Sequence, residues 1–204
     1  MYRLFILSLF FFGNVLAQDS SDIKRILFFQ NQLNKEFATE ETSPLTPKDL
    51  KEFKSLDFFK IDTTFCVKAK FIQTPHETPF IMKTTNGSEP LYVKYGEAHF
   101  VLQERKWVLN IYQNQGLTTQ LEYEDYLFLP FTDVTNGQTT YDGGRFIDLK
   151  IPGGDTILID FNTAYNPYCA YNDRYSCPVP PEENNLEIKI LAGVKKYAKH
   201  PENE

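Results

Sequence analysis

The amino-acid sequence predicts a mainly β protein, an antiparallel β sandwich or open barrel with one or two N-terminal helices. From Phe65 onward, apolar residues recur at every second position, which is the period of a strand with one buried face. Short apolar segments then follow one another at close intervals as far as Leu191. Turn sequences rich in Gly, Asn and Pro separate these segments, a pattern typical of antiparallel all-β architecture.

The first residues predict a secretory signal peptide. Arg3 is the only charged residue of the segment, residues 4–12 are apolar, and Val15 and Ala17 are small where a signal peptidase reads. The apolar run is shorter than the roughly 20 residues that a membrane-spanning helix requires. We therefore expect a signal peptide over residues 1–17, no membrane span in the mature chain, and export to the periplasm or out of the cell.

Two helices are predicted before the first strand. In residues 21–37, Ile26, Leu33 and Phe37 recur at helical spacing, so this segment predicts an amphipathic helix that packs on a larger body. A short helix over 47–53 is indicated by Thr46, a capping residue, and by Pro47 at the first helical position. Residues 18–56 are thus expected to form a helical segment packed on a β domain of residues 57–204.

The first predicted strand has a clear buried face. Phe65, Val67, Ala69 and Phe71 alternate with more polar residues. Turns are indicated by Asn-Gly pairs at 86–87 and 136–137 and by Pro-Gly-Gly-Asp at 152–155. Further strands are predicted over 80–83, 91–95, 98–103, 106–112, 126–131, 145–151, 156–162 and 186–191.

Length and charge limit the classes of function. The 204 residues suit one domain, and the formal net charge of -6 becomes one unit more negative without Arg3. An acidic surface argues against nucleic acid as a partner, because phosphate backbones are bound by basic surfaces.

Three cysteines remain after signal-peptide removal: Cys66, Cys169 and Cys177. Export permits disulfides, and Cys169 and Cys177 close a nine-residue loop, so we expect them to be bonded to each other. Cys66 is interpreted as a buried small apolar residue. The alternative is that Cys169 stays free and forms a nucleophilic pair with His99, which a disulfide would abolish.

Polar residues inside predicted strands mark the late segment, residues 129–181, as unusual. If 152–155 is a four-residue hairpin loop, then Arg145, Asp160 and Asn162 fall on one side of the hairpin, with Arg145 and Asp160 on a diagonal. One interpretation is a buried ion pair that fixes the strand register. The other is the floor of a polar pocket, in which Arg145 binds an anion or Asp160 acts as a base.

Four tyrosines follow this hairpin. Tyr165, Tyr168, Tyr171 and Tyr175 lie in a segment where Pro167 and several Asn residues favour a loop. The tyrosines either cover the loop as packing or line a site for a sugar or an aromatic ligand, since they offer flat apolar faces with hydroxyl groups.

Several chemistries have no motif in this sequence. There is no GxSxG nucleophile elbow, phosphate-binding GxxxxGK, CxxC or HExxH. The sequence leaves the cofactor unknown. The segment at Asp133 lacks the carboxylate spacing of a calcium loop, and Asp133, Asp142 and Asp160 give only a weak suggestion of a carboxylate metal site.

Two long strings resemble an uncharacterised bacterial family, the domain of unknown function numbered sixteen eighty-four. These are FTDVTNGQTTYDGGRFIDL and IDFNTAYNPYCAYNDRYSCPVPPEENNLEIKILAG, and the stretch SPLTPKDLKEFKSLDFFKIDTTFCVKAKF resembles the family's start. The resemblance covers residues 43–193. Near its end the family often has an acidic residue where this chain has Val194, so a role for that residue does not carry over. Carried over by position, the family pattern falls on Phe131, Asp133, Thr135, Gly137, Thr140, Tyr141, Gly144, Arg145, Asp160, Asn162, Ala164, Tyr165, Asn166, Pro167, Cys169, Ala170, Cys177, Pro178, Pro180, Pro181 and Asn185.

The resemblance implies an exported β domain without assigned activity. The candidate ligand-binding residues that it favours are Asp133, Tyr141, Arg145, Asp160, Asn162, Tyr165 and Asn166. We expect a binding module for a small polar or sugar-like ligand. The alternatives are a structural exported domain, whose signature residues hold the fold, and a hydrolase that uses Asp160 as base and Arg145 to steady an anion.

Overall fold

The computed structural model describes residues 9–197, with side-chain surroundings from residue 20 onward. Residues 1–8 of the predicted signal peptide lie outside the described residues. The helices are α1, Leu9–Ala38, and α2, Pro47–Glu52. The strands are β1 Cys66–Gln73, β2 Phe80–Ile81, β3 Leu91–Leu102, β4 Arg105–Asn114, β5 Tyr126–Asp133, β6 Arg145–Lys150, β7 Thr156–Asp160 and β8 Asn185–Leu186.

Within the described chain the strands form one eight-stranded sheet with the order β6-β5-β4-β3-β1-β7. Every neighbouring pair in this order is antiparallel, β2 adds to β3, and β8 pairs with β5 in parallel. The sheet curls into a half-barrel around an apolar core. The predicted fold class, mainly antiparallel β in an open barrel with N-terminal helices, is therefore confirmed.

The core lies on the face of the sheet where the predicted alternation places it. Phe65, Val67, Ala69 and Phe71 are all buried, as are Leu127 of β5 and Ile147 of β6 on the other side of the sheet. A C-terminal segment, residues 186–192, closes this core with Leu186, Ile188, Ile190 and Ala192. Burial of these apolar side chains is the main force that holds the half-barrel together.

The predicted hairpin over residues 145–162 is wrong. β6 pairs with β5, whereas β7 pairs with β1 through contacts such as Thr156 with Lys70. The Ile151 amide donates to the Asp125 carbonyl rather than facing Thr156. The loop at 152–155 therefore joins the two opposite edge strands of a curled sheet. Its turn residues are the same as those of a hairpin loop, so the local sequence does not distinguish the two connections.

Two other strand boundaries also differ from the prediction. The segments 91–95 and 98–103 form one long strand, β3, with an irregularity in register between Lys94 and Gly96. The predicted strand 186–191 pairs only over Asn185–Leu186. Beyond Leu186 alternate residues, Ile188, Ile190 and Ala192, stay buried without a regular ladder, so the backbone groups on this side require other partners.

Helix α1 is longer than the predicted 21–37 and packs with one side on the β domain. Ile26 and Phe37 are buried, and the Phe37 ring contacts Tyr171 at 4.7 Å between centroids. Helix α2 begins as predicted, with the Thr46 side chain accepting from the Asp49 amide. Within residues 9–197 no helix combines the length and apolarity needed to cross a membrane.

Candidate functional site

A second apolar surface lies on the opposite face of strands β3 to β6. Phe128 of β5 pairs with Asp148 of β6, so these side chains share a face, while the alternating Leu127 and Ile147 point to the core. Phe128 and Phe146 pack at 4.8 Å between ring centroids and belong to a separate buried aromatic cluster. Over strands β5 and β6 the sheet thus carries apolar side chains on both faces.

This second face carries a cavity of about 410 Å³, here called the tyrosine cavity. Helix α1 covers one side, and the loop of residues 165–178 covers another. A volume of this size lies within the range of small-molecule sites in proteins. The lining residues are Phe29, Gln32, Leu33, Glu36, Tyr92, Leu117, Tyr126, Phe128, Phe146, Asp148, Tyr165, Pro167, Tyr168, Tyr175, Ser176, Cys177 and Pro178.

Asp148 is the central polar group of the cavity. Its Oδ1 accepts hydrogen bonds from the hydroxyls of Tyr126 at 2.8 Å and Tyr165 at 2.7 Å. Solvent reaches the carboxyl group through the open cavity, yet the protein packed around it raises the pKa of Asp148, and the two tyrosine hydrogen bonds only partly oppose this rise. Among the described residues Oδ2 has no hydrogen-bond partner.

A second carboxylate–tyrosine pair lies on the other side of the cavity. Glu36 of α1 accepts a hydrogen bond from the Tyr168 hydroxyl. Burial, followed by this carboxylate, raises the pKa of Tyr168. Burial and the nearby Asp148 likewise raise the pKa of Tyr126 and Tyr165. These three phenols therefore stay neutral, and each directs its proton to a carboxylate.

Of the candidate residues predicted from sequence, Tyr165 lies on the cavity wall. Arg145 and Asp133 lie elsewhere, in a fully buried ion pair with 2.7 Å between Nη2 and Oδ2. Arg145 also donates to the carbonyls of Ile190 and Ala192, and Asp133 Oδ1 accepts from the Ile190 amide. The pair thus supplies the hydrogen bonds that the C-terminal segment lacks.

The proposed contact between Arg145 and Asp160 is not formed. Asp160 instead lies 2.8 Å from Arg25 Nη1 of helix α1, and its Oδ1 accepts from the Asn162 amide. The Asn162 side chain in turn exchanges hydrogen bonds with the backbone of Asp62. These residues join the helix and the start of β1 to the end of β7.

The remaining candidates, Asn166 and Tyr141, lie near the late loop. The Asn166 amide donates to the Tyr171 hydroxyl and to the Lys195 carbonyl, which fixes the loop to the C-terminal segment. The Tyr141 hydroxyl lies 3.7 Å from Cys169 Sγ. Among residues 20–197 no group of three or more His, Cys, Asp or Glu side chains is arranged to hold a metal ion. The carboxylate metal site suggested by Asp133, Asp142 and Asp160 is therefore not formed.

The three cysteines are free thiols in the structure, and the predicted Cys169–Cys177 disulfide is not formed. The two residues are nevertheless neighbours, since the Cys169 amide donates to Cys177 Sγ at 3.1 Å. Hydrogen bonding from the Cys177 thiol lowers the pKa of Cys169. Cys66 is half-buried rather than buried, and it accepts a hydrogen bond from Arg25 at 3.4 Å.

Sequence reasoning missed Asp148 and the aromatic residues around it. A signal was present in residues 126–131, YLFLPF, a continuous apolar run rather than an alternating one. Such a run indicates a strand buried on both faces. In RFIDLK, Phe146 shares the face of Asp148 and is the second sign that this face is covered.

Comparisons with known proteins agree with the fold. A family model described as "Protein of unknown function (DUF1684)" matches residues 51–195. The solution NMR structure of an uncharacterized protein of Haloarcula marismortui is similar, with a TM-score of 0.70 and 30% sequence identity over 90% of this chain and 99% of that chain. A search of curated proteins found no match.

Proposed function

This chain belongs to the DUF1684 family, and we propose that it is an exported module that binds a small organic molecule in the tyrosine cavity. The observation that carries the proposal is a cavity of about 410 Å³ with aromatic walls and few polar groups, chief among them the Asp148 carboxylate held by two tyrosines. Apolar walls with a few convergent polar groups are characteristic of ligand sites.

The energetics of the cavity support a functional role. The cavity is open to solvent, and aromatic walls that face water forgo apolar burial that would stabilise the fold, so such a cavity does not serve stability. A carboxylate whose pKa is raised by its surroundings also opposes folding at neutral pH. Features that cost stability and converge in one cleft mark candidate sites.

Export is the second part of the proposal. It rests on the signal-peptide pattern of residues 1–17. Cleavage after Ala17 would leave all the α1 residues of the cavity wall in the mature chain, since the first of them is Phe29. In an oxidising compartment we expect the adjacent thiols of Cys169 and Cys177 to form the disulfide.

The family signature itself serves the fold in this proposal. Arg145, Asp133, Asp160 and Asn162 are buried in networks that satisfy backbone groups and join distant segments. Because Arg145 and Asp160 have different partners, no observation favours a hydrolase built on these two residues. Tyr165 is the predicted candidate that we retain as a ligand contact.

The proposal is tested by screening a fragment library of cationic, neutral and anionic compounds for thermal stabilisation of the mature protein. Two tryptophan variants on α1 locate the binding. Gln32→Trp narrows the cavity, because Gln32 is an exposed lining residue, whereas Asn31→Trp is a matched control on an adjacent exposed position that does not line it.

Ligands of the cavity should stabilise the wild type and Asn31→Trp but not Gln32→Trp. A ligand at about 100 times its Kd stabilises a protein by about 2.7 kcal/mol, which is readily measured. A library without any binder, or binders that stabilise Gln32→Trp equally, would show that the tyrosine cavity is not a binding site.

A further inference from the structure

We propose that the ligand of the tyrosine cavity is an organic ammonium ion, bound between the Asp148 carboxylate and the aromatic walls. This inference rests on the proposed function, and it names the class of molecule that the site would select. It follows from three independent properties of the cavity: its charge, its hydrogen-bonding groups and its aromatic lining.

The charge of the cavity is negative. Among the described lining residues, Asp148 and Glu36 are carboxylates, and none is a lysine, arginine or histidine. The nearest guanidinium in the late loop, that of Arg174, packs over the Tyr175 ring at 4.7 Å and donates to the Tyr175 hydroxyl. An anionic ligand would therefore meet like charge without a basic partner among the lining side chains, whereas a cation meets complementary charge.

The tyrosine hydroxyls nearest the two carboxylates of the cavity have their protons committed. The hydroxyls of Tyr126 and Tyr165 already donate to Asp148, and the Tyr168 hydroxyl donates to Glu36. The Ser176 hydroxyl also has a partner, the side chain of Asn86. At the carboxylate, the lone pairs of Asp148 Oδ2 remain, and a donor such as an N–H group would satisfy them. The uncommitted donors of the lining, on Gln32, Tyr92 and Tyr175, are separate from this carboxylate–tyrosine group.

At the Asp148 carboxylate, this arrangement favours an ammonium group over a sugar hydroxyl. A sugar presents hydroxyls that both donate and accept, and its recognition requires donors on the protein. Three tyrosine donors are already committed to carboxylates. An ammonium group only donates, so it matches the acceptors without breaking the tyrosine–carboxylate hydrogen bonds.

The aromatic walls supply the third property. Five tyrosines and three phenylalanines line the cavity, and several of them pack edge to face, as Phe146 does on Tyr165 at 6.0 Å and 90°. Aromatic faces attract cations through the ring quadrupole, most strongly where water is displaced. The same faces accommodate the apolar body of an organic amine.

The inference is tested with three probes that share a phenethyl body and differ in charge: phenethylammonium, phenethyl alcohol and hydrocinnamate. Affinities are measured by NMR titration at neutral pH. We expect the ammonium to bind at least about tenfold more tightly than the alcohol, since charge-assisted hydrogen bonds are about twice as strong as neutral ones. Hydrocinnamate should bind most weakly.

Two variants distinguish the effect of the Asp148 charge from the effect of negative charge elsewhere on the protein. Asp148→Asn keeps the shape and one acceptor oxygen but removes the charge, so the affinity for the ammonium should fall to that for the alcohol. Asp125→Asn removes a carboxylate that is exposed and paired with Lys150, outside the cavity, and it should retain the preference.

The outcomes distinguish the two proposals. If the wild type binds alcohol and ammonium equally, and Gln32→Trp abolishes both, the cavity is a ligand site but not one for cations. If the ammonium preference persists in a folded Asp148→Asn variant, Asp148 is not the selecting group and the inference is overturned. If neither the probes nor the fragment library binds, the proposed function fails as well.

Discussion

The guanidinium of Arg145 lies 2.7 Å from the carboxylate of Asp133, and both side chains are completely withdrawn from water. Together they bind the backbone of the buried residues Ile190 and Ala192, which belong to no β ladder. Burial lowers the pKa of Arg145, and Asp133 offsets this effect. Either charge alone in the core would therefore destabilise the folded state.

Arg145→Met should destabilise the protein severely. It leaves Asp133 charged and unpaired in the core, and it removes the donors to the Ile190 and Ala192 carbonyls, so we expect a loss of about 3–5 kcal/mol in the free energy of unfolding. Lys150→Met is the matched control, because Lys150 forms an exposed ion pair with Asp125. Its cost should stay below about 1 kcal/mol. Urea unfolding measures both, and similar costs would contradict a structural role for Arg145.

The sequence allowed the strands, their antiparallel arrangement and the helices to be predicted, because periodicity is local. Sheet order is not local. The Pro-Gly-Gly-Asp turn at 152–155 has the composition of a hairpin, but it connects the two outer strands of a curled sheet. The curl is decided by the packing of the whole core, which no short segment encodes.

The site was only partly predictable for a related reason. Arg145 and Asp160 stood out as polar residues inside strands, yet their partners lie in distant segments. Arg145 donates to the Ile190 carbonyl, and Asp160 pairs with Arg25 of helix α1. Asp148, in contrast, has the ordinary appearance of a solvent-facing residue in an alternating strand. It becomes the centre of a cavity because α1 and residues 165–178 cover that face, and these contacts are long-range in sequence.

Arg25→Met should loosen helix α1. Arg25 is the helix's ion-pair partner for Asp160, which is almost completely buried, and it also contacts Cys66. The Arg25 side chain is 40% exposed, so solvent screening limits the effect, and we expect a loss of about 1–2 kcal/mol. Lys24→Met, on the adjacent exposed position, should change the stability little. Equal stability of the two variants in thermal unfolding would show that the Arg25–Asp160 pair does not hold the helix.

Cys169 and Cys177 should become linked when the protein is purified from an oxidising compartment. The reduced form should then be heavier by about 2 mass units in intact mass spectra. Reduction should lower the stability by up to about 2.6 kcal/mol, the chain-entropy value for a nine-residue loop. The measurement is made in a Cys66→Ser background, so that the third thiol cannot form a competing disulfide. Burial raises the pKa of Cys66 to about 11, so this thiol reacts slowly in the wild type as well. An unchanged mass on reduction would mean that the pair stays a dithiol.

Acidification should weaken the binding of phenethylammonium. The pKa of Asp148 is raised, so this carboxyl takes up a proton at a higher pH than an ordinary aspartate, which titrates near about 3.9. Binding that depends on the charge is complete above the raised pKa and is lost as the pH falls through it. The probe itself stays protonated throughout this range. NMR titration should show the affinity approaching that of Asp148→Asn, while the affinity for phenethyl alcohol stays constant.

The other titratable groups of the cavity allow this pH dependence to be assigned. The facing phenols of Tyr92, Tyr126 and Tyr165 have raised pKa values and stay neutral. The same holds for Tyr168, and the pKa of Cys177 is also raised, by its hydrogen bond with Cys169 and by burial, so that this thiol stays neutral. Glu36 is the second carboxyl, so the titration is repeated in Glu36→Gln, where the pH dependence should persist. Because protonation of a carboxyl with a raised pKa stabilises the folded state, Asp148 itself does not promote unfolding at low pH. A flat pH profile in Glu36→Gln would assign the effect to Glu36 instead of Asp148.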